Sequence, residues 1–345
     1  MGQVRSRLKK MGAGVSAVES FTDLQRRASE SDDESEDFTL RHLFQAAERG
    51  DLRTMKRIVE ENRIPIDITD NSACTPLFMA AKDGHHECVS LLLRQGALAD
   101  GLRDVSSSWT PLWIASSGGH TECVRLLIDA GANLECKYPE TPLYVATREG
   151  HAPVVKLLLQ AGALTEFSGI PHHSLIEAAM HGHRDYLECI HLIALSGCDL
   201  DGPVNQYQQT ALHLCSINKN GACMNTLLAH GASVNVTSNY FLVGVTPLHL
   251  ATKSGCEHLI KLLVTHGADV YLTDENGRRA SDWANSAGKN TGCYRYLKYA
   301  ESNPRPLVYL ARWAVRKTLG RKRLQHINDL AVPPNLVSFL WYKTN

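Results

Sequence analysis

Thiols and imidazoles are the groups in this chain whose chemistry could ligate a metal, attack a carbonyl or cycle a disulfide. The 345 residues hold ten cysteines and 16 histidines. Cys88, Cys123, Cys189 and Cys223 each stand eight residues ahead of a glycine (Gly96, Gly131, Gly197 and Gly231). Four cysteines at one position of a recurring pattern read as a row of small apolar side chains packed inside the fold, not as a metal or redox centre. His172, His173, His181 and His183 are the densest imidazole cluster. No carboxylate or thiol flanks them at the spacing that puts ligands on one helix face, so zinc is not predicted. His85, His120, His151 and His183 each follow a glycine and share that recurring place, which assigns them to architecture. Gly12-Ala-Gly14 follows no strand and completes no nucleotide fingerprint. The chain has no Gly-x-Ser-x-Gly, His-Glu-x-x-His or phosphate-binding loop. The expectation is a non-catalytic protein with no cofactor and no metal.

The elements that position these residues follow from the recurrence itself. Lysine plus arginine equals aspartate plus glutamate, 36 each, so no global field favours nucleic acid. No apolar run approaches the length that spans a bilayer. The N-terminal residues lack the apolar core of a signal peptide, which predicts reduced thiols and a cytoplasmic location. A Gly-Ala or Gly-Cys pair recurs at Gly96, Gly131, Gly162, Gly197, Gly231 and Gly267, at intervals of 31 to 36 residues. An apolar helical run precedes each pair, such as Cys88-Val-Ser-Leu-Leu-Leu93. A shorter helix precedes that run and opens with threonine at Thr75, Thr110, Thr141, Thr210 or Thr246, followed mostly by Pro-Leu. Threonine caps a helix start through its side-chain oxygen, and proline in the first turn forfeits no hydrogen bond. Gly84, Gly119, Gly150 and Gly182 sit between the two helices, where a left-handed residue ends the first.

Turn, short helix, Gly-His and longer helix resemble the ankyrin repeat of about 33 residues. The resemblance covers residues 38 to 300 and implies an all-α, ankyrin-repeat solenoid of about seven repeats. The copies around Leu43–Gly50 and Arg278–Trp283 depart from the pattern, as end repeats with one bare face do. In such solenoids the finger-like turns and short helices face the ligand. Trp109, Tyr138, Tyr207, Tyr240 and Phe241 fall in the connections that form those fingers and are the candidates for binding a protein substrate. Packing of each ring on its own or the adjoining finger is the alternative. The connection from Val236 to Gly244 is the longest, which puts most weight on Tyr240 and Phe241. The row Phe44, Phe78, Trp113, Tyr144, Ile176, His213 and His249 is expected to pack across the seams between repeats.

Beyond Asn303-Pro304 the period disappears. Leu307, Leu310, Ala311, Ala314, Val315 and Leu319 make one helical stripe behind Pro306, and Gly320 suits its C-terminal cap. Leu324, Ile327 and Leu330 lead into Val332-Pro333-Pro334, and Leu336, Phe339 and Leu340 mark a last helical face. About 40 residues cannot bury this much apolar surface alone. This order of helix, proline break and helix resembles the SOCS box. Joined to ankyrin repeats, it resembles the ankyrin-repeat and SOCS-box family. The domains expected are a disordered tail (1–37), ankyrin repeats (38–303) and a SOCS box (304–345).

The family resemblance implies a substrate-recognition subunit of a ubiquitin ligase: the repeats bind the target while the box recruits elongin B, elongin C and a cullin with its RING partner. Pro306, Leu307, Leu310, Ala311 and Val315 would contact elongin C. Alanine stands at 311 where the family has cysteine, an underfilled pocket worth about 1 kcal/mol. Leu330, Val332, Pro333, Leu336, Phe339 and Leu340 would contact the cullin, cullin-5 by the Leu-Pro-apolar-Pro pattern, although Ala331 replaces its first proline. The alternative is an ankyrin scaffold, membrane-tethered or free, that recruits no cullin.

Residues 1–37 carry few large apolar side chains. Gly2 with Ser6 fits the N-myristoylation pattern, and Arg5, Arg7, Lys9 and Lys10 add the basic cluster that a single acyl chain needs for stable membrane contact. Ser29, Ser31 and Ser35 lie beside acids and are candidates for phosphorylation, which would oppose that contact.

Overall fold

The computed structural model describes residues 34–61, 65–70, 74–101, 109–135, 140–165, 184–286, 291–303 and residue 315. These residues are helical, with isolated β-bridges but no strands among them. They form two compact units, 1–141 and 142–345.

The first unit contains α1 (Glu34–Arg49), α2 (Leu52–Glu61), α3 (Pro76–Lys82), α4 (His86–Arg94), α5 (Pro111–Ser117) and α6 (Thr121–Asp129). Local chemistry sets the ends of these helices. Thr75 and Thr110 hold extended backbone, and their hydroxyls accept from the amides of Phe78 and Trp113 at 3.2 and 3.1 Å. Pro76 and Pro111 occupy the first turn, where no amide is needed. Gly84 and Gly119 end the short helices with φ of +78° and +71°. Gly96 ends α4 with φ +98°, while the amides of Gly96 and Ala97 donate to the carbonyls of Leu93 and Leu92. That pair of bonds is the Schellman closure of a helix. Leu77, Ala80 and Ala81 of α3 and Cys88, Val89 and Leu92 of α4 are buried, as are the matching Leu112, Ala115, Cys123, Val124 and Leu127. Each such leucine contributes roughly 1.5–3 kcal/mol of apolar burial. Helix α1 begins at Glu34, four residues ahead of the repeat boundary expected at residue 38.

The second unit contains α7 (Pro142–Arg148), α8 (Ala152–Gln160), α9 (Arg184–Leu195), α10 (Ala211–Ile217), α11 (Gly221–Ala229), α12 (Pro247–Lys253), α13 (Glu257–Thr265), α14 (Ala280–Ser286) and α15 (Thr291–Ser302). The short helices α10, α12 and α14 stack in one row, and the longer α9, α11, α13 and α15 stack in a second. Its core repeats that of the first unit: Leu212, Cys215, Cys223, Met224 and Leu227, then Leu248, Ala251, Leu259, Ile260 and Leu263. The ankyrin-type repeat expected from the period is therefore the repeat that folds, down to its caps.

Candidate functional site

Most histidines of the repeat positions join one repeat to the next. His85 Nε2 donates to the carbonyl of Glu48, and His120 Nε2 to that of Lys82, both at 2.9 Å. His213 closes a reciprocal capping box at the start of α10: its Nδ1 accepts from the amide and hydroxyl of Thr210, at 3.1 and 2.9 Å. Its Nε2 donates across the seam to the carbonyl of Val245 at 3.2 Å. His249 makes the same set with Thr246 and the carbonyl of Arg278. Both rings are thus neutral, with the proton on Nε2, because a proton on Nδ1 would face an N–H donor. Burial depresses the His213 pKa to about 4 and lowers that of His249 as well. Phe78 and Trp113, at the same position, are buried.

A second set of links has no counterpart in the pattern read from the sequence. A carboxylate or amide in the turn after a longer helix accepts from an amide of the next repeat: Asp67 from Leu98, Asp100 from Asn133, Asp201 from Ser233 and Asn235 from Asp269. The distances are 2.7 to 2.9 Å. Aspartate and asparagine are common in turns for local reasons. Only the stacking of repeats brings an amide more than 30 residues away into reach.

The cysteine row is buried. Cys88, Cys123, Cys189 and Cys223 are buried with free thiols. Burial pushes the thiols of Cys88, Cys123 and Cys223 up to about 11, so they stay protonated and unreactive at neutral pH. Among the described residues no group of three or more His, Cys, Asp and Glu could hold a metal. The cluster of His172, His173, His181 and His183 lies outside the described residues.

The aromatic candidates separate into two places. Trp109, in the first unit, is 53% exposed and stacks one face on Trp113, with ring centroids 5.2 Å apart and planes 7° from parallel. Tyr207, Tyr240 and Phe241 come together in the second unit. Tyr240 is half-buried and packs on a core of Val245, Leu250 and Trp283. Its ring meets Tyr207 edge-on at 5.5 Å and Phe241 at 4.0 Å. Tyr207 is 43% and Phe241 56% exposed. Two residues unmarked in the sequence join them. Val243, on the same finger, is 55% exposed, and Lys253, the last residue of α12, places its ammonium 3.2 Å from the Phe241 ring centroid. The apolar run Tyr240-Phe-Leu-Val243 was a signal for Val243; nothing local signals Lys253.

Tyr138, Gly2, Pro306, Leu307, Leu310, Ala311, Leu330, Val332, Pro333, Leu336, Phe339 and Leu340 lie outside the described residues. Val315 is helical and 42% exposed.

Comparison with known proteins bears on both halves of the chain. Ankyrin-repeat family models match residues 43–93, 97–167, 207–239 and 243–275, and the SOCS box model matches residues 303–340. Ankyrin repeat and SOCS box protein 5 of Mus musculus is 31% identical over 167 residues, which are 48% of this chain and 47% of that protein. Ankyrin repeat and SOCS box protein 11 of Homo sapiens is 32% identical over 167 residues, 48% of each. Ankyrin repeat and SOCS box protein 13 of Homo sapiens is 34% identical over 97 residues, 28% of this chain and 34% of that one. The chain thus spans about half the length of the first two of these relatives, and about a third of the third. The crystal structure of the human ASB11 ankyrin repeat domain is similar at 23% identity, with a TM-score of 0.42, covering 76% of this chain and 98% of that one.

Proposed function

We propose, for a chain that belongs to the ankyrin-repeat and SOCS-box family, that it is the substrate receptor of an elongin–cullin ubiquitin ligase. The observation that carries this reading is the joining of a SOCS box, residues 303–340, to ankyrin repeats in one chain. The repeats hold a target protein. The box brings elongin B, elongin C and a cullin, cullin-5 by the proline pattern, together with its RING partner. Target lysines then meet the charged ubiquitin carrier at high effective concentration, so the chain accelerates transfer without performing it. The buried, protonated state of the Cys88, Cys123 and Cys223 thiols accords with transfer chemistry belonging to other subunits.

In this reading Pro306, Leu307, Leu310, Ala311 and Val315 contact elongin C, and Leu330, Val332, Pro333, Leu336, Phe339 and Leu340 contact the cullin. An acylated Gly2 with its basic cluster would place a cytoplasmic receptor at a membrane. The test is co-purification. Wild-type chain should retain elongin B and C, and Leu307→Asp should lose both while the helical circular-dichroism signal and the unfolding midpoint stay unchanged. A folded wild-type chain that retains no elongin removes the receptor reading and leaves an ankyrin scaffold.

A further inference from the structure

Three finger turns of the second unit are tied into one ridge by main-chain bonds. The first runs from Val204 to Gln209, closed by the Val204 amide on the Gln209 carbonyl. The second runs from Ser238 to Val245, and the third from Thr273 to Arg279, each closed by an antiparallel bridge. The Asn239 amide donates to the carbonyl of Tyr207 at 2.8 Å, and the Glu275 amide to that of Val243 at 2.9 Å. His213 and His249 fasten the second and third fingers from below through the carbonyls of Val245 and Arg278. The ridge is therefore held by its backbone, independently of the side chains at its crest.

Those crest side chains are Tyr207, Phe241 and Val243, all exposed. Phe241 adopts φ +67°, a left-handed conformation that bulky L-residues rarely take. A residue that needs no side chain there would be glycine. Instead the left-handed backbone carries a ring that stays more than half exposed while it touches Tyr240 and the Lys253 ammonium. Charge completes the surface. The Lys253 ammonium sits over the Phe241 ring and 5.9 Å from the Trp283 centroid, with no carboxylate in ion-pair range among the described residues. The neighbouring guanidiniums differ: Arg278 is held at 3.0 Å by the buried Asp274, and Arg279 reaches Glu301 at 3.9 Å. Glu275, whose amide bonds to Val243, is exposed at the far end of the ridge.

We infer that this ridge is a docking surface for an extended acidic–apolar segment of the target protein, a carboxylate meeting Lys253 while the adjacent large apolar side chain covers Phe241 and Tyr207. The inference rests on the reading that the repeats hold the target, and it names what they recognise.

The test uses the full chain against immobilised 12-residue peptides that carry one phenylalanine or leucine flanked by aspartate, asparagine or lysine. The aspartate series should be retained about tenfold more strongly than the asparagine series, the scale of one charge-assisted contact. Lys253→Glu should move retention to the lysine series. Phe241→Gly, which removes the ring and suits the backbone, should lower retention of every series without lowering the unfolding midpoint. Equal retention of the three series, no retention of any, or a preference untouched by Lys253→Glu overturns the inference. So does self-association of the chain that Phe241→Gly abolishes, because the ridge would then seat a second copy. Elongin capture by the same preparations separates the two readings. Elongin bound without the peptide preference keeps the receptor and removes this ridge as its target site, whereas absent elongin removes the receptor whatever the peptides do.

Discussion

His213 makes the stability of the second unit depend on pH in a direction and window that can be worked out. The ring is buried, and its Nδ1 accepts from two donors of Thr210 while its Nε2 donates to Val245. Burial denies the cation water and outweighs the bond to the Val245 carbonyl, which favours it, so the folded pKa falls from 6.5 to about 4. Above pH 6.5 the imidazole is neutral in folded and unfolded chains alike, and its titration contributes nothing. Between 6.5 and about 4 the unfolded chain takes the proton and the folded chain does not, so stability falls as pH falls. Below about 4 both forms are protonated and the loss is complete, about 3 kcal/mol in all and about 2 kcal/mol by pH 5. His249 is shifted the same way and adds to the slope. The assay is urea unfolding of wild type and His213→Gln at pH 7.5 and pH 5. The variant should be weaker at pH 7.5 by about 1–3 kcal/mol, through the broken seam bond. Its further loss on acidification should be smaller than that of wild type by about 2 kcal/mol. An unchanged difference between the two pH values in the variant would refute the assignment of this slope to His213.

Further expectations concern single contacts. Gly84→Ala places a Cβ against the His120 ring in a backbone at φ +78°, and should destabilise the first unit by about 1–2 kcal/mol or more, read as a lowered thermal midpoint. An unaltered midpoint would mean that the turn relaxes freely. Asp201→Ala removes an acceptor for the Ser233 amide and hydroxyl at an exposed seam, and should cost about 1 kcal/mol in urea unfolding. The double variant with Ser233→Ala should show their coupling, whereas additive losses would deny it. Gly2→Ala should move the chain from membrane to soluble fractions; an unmodified Gly2 by mass spectrometry in the wild type removes acylation.

Much of the repeat fold was legible because its signals are local. Thr75, Thr110 and their prolines start helices, and Gly84, Gly119 and Gly96 end them, through bonds that span a few residues. The recurrence of those signals is itself the architecture, since each unit stacks on a copy of itself. The cysteine row was legible for the same reason: one position in every copy meets one environment. Cross-seam contacts were less so. Histidine at 213 and 249 marked a seam position, but the carbonyls of Val245 and Arg278 as acceptors belong to a turn about 30 residues away. The ladder of Asp67, Asp100, Asp201 and Asn235 went unseen because those residue types suit any turn.

For the candidate surface, the aromatic residue types determined only that something large sits on the fingers. Packing decided which parts face solvent. Tyr240 turns half inward onto Val245, Leu250 and Trp283, while Phe241, its chain neighbour, is turned out by a left-handed backbone. Lys253 joins the surface from the end of another helix. The sequence by itself determined the repeat, its caps and its joining to the box, because each rests on spacing along the chain. Only the tertiary structure decided what the crest presents, because exposure, ring contacts and the seat of the Lys253 ammonium over Phe241 depend on which turns the stacking brings together.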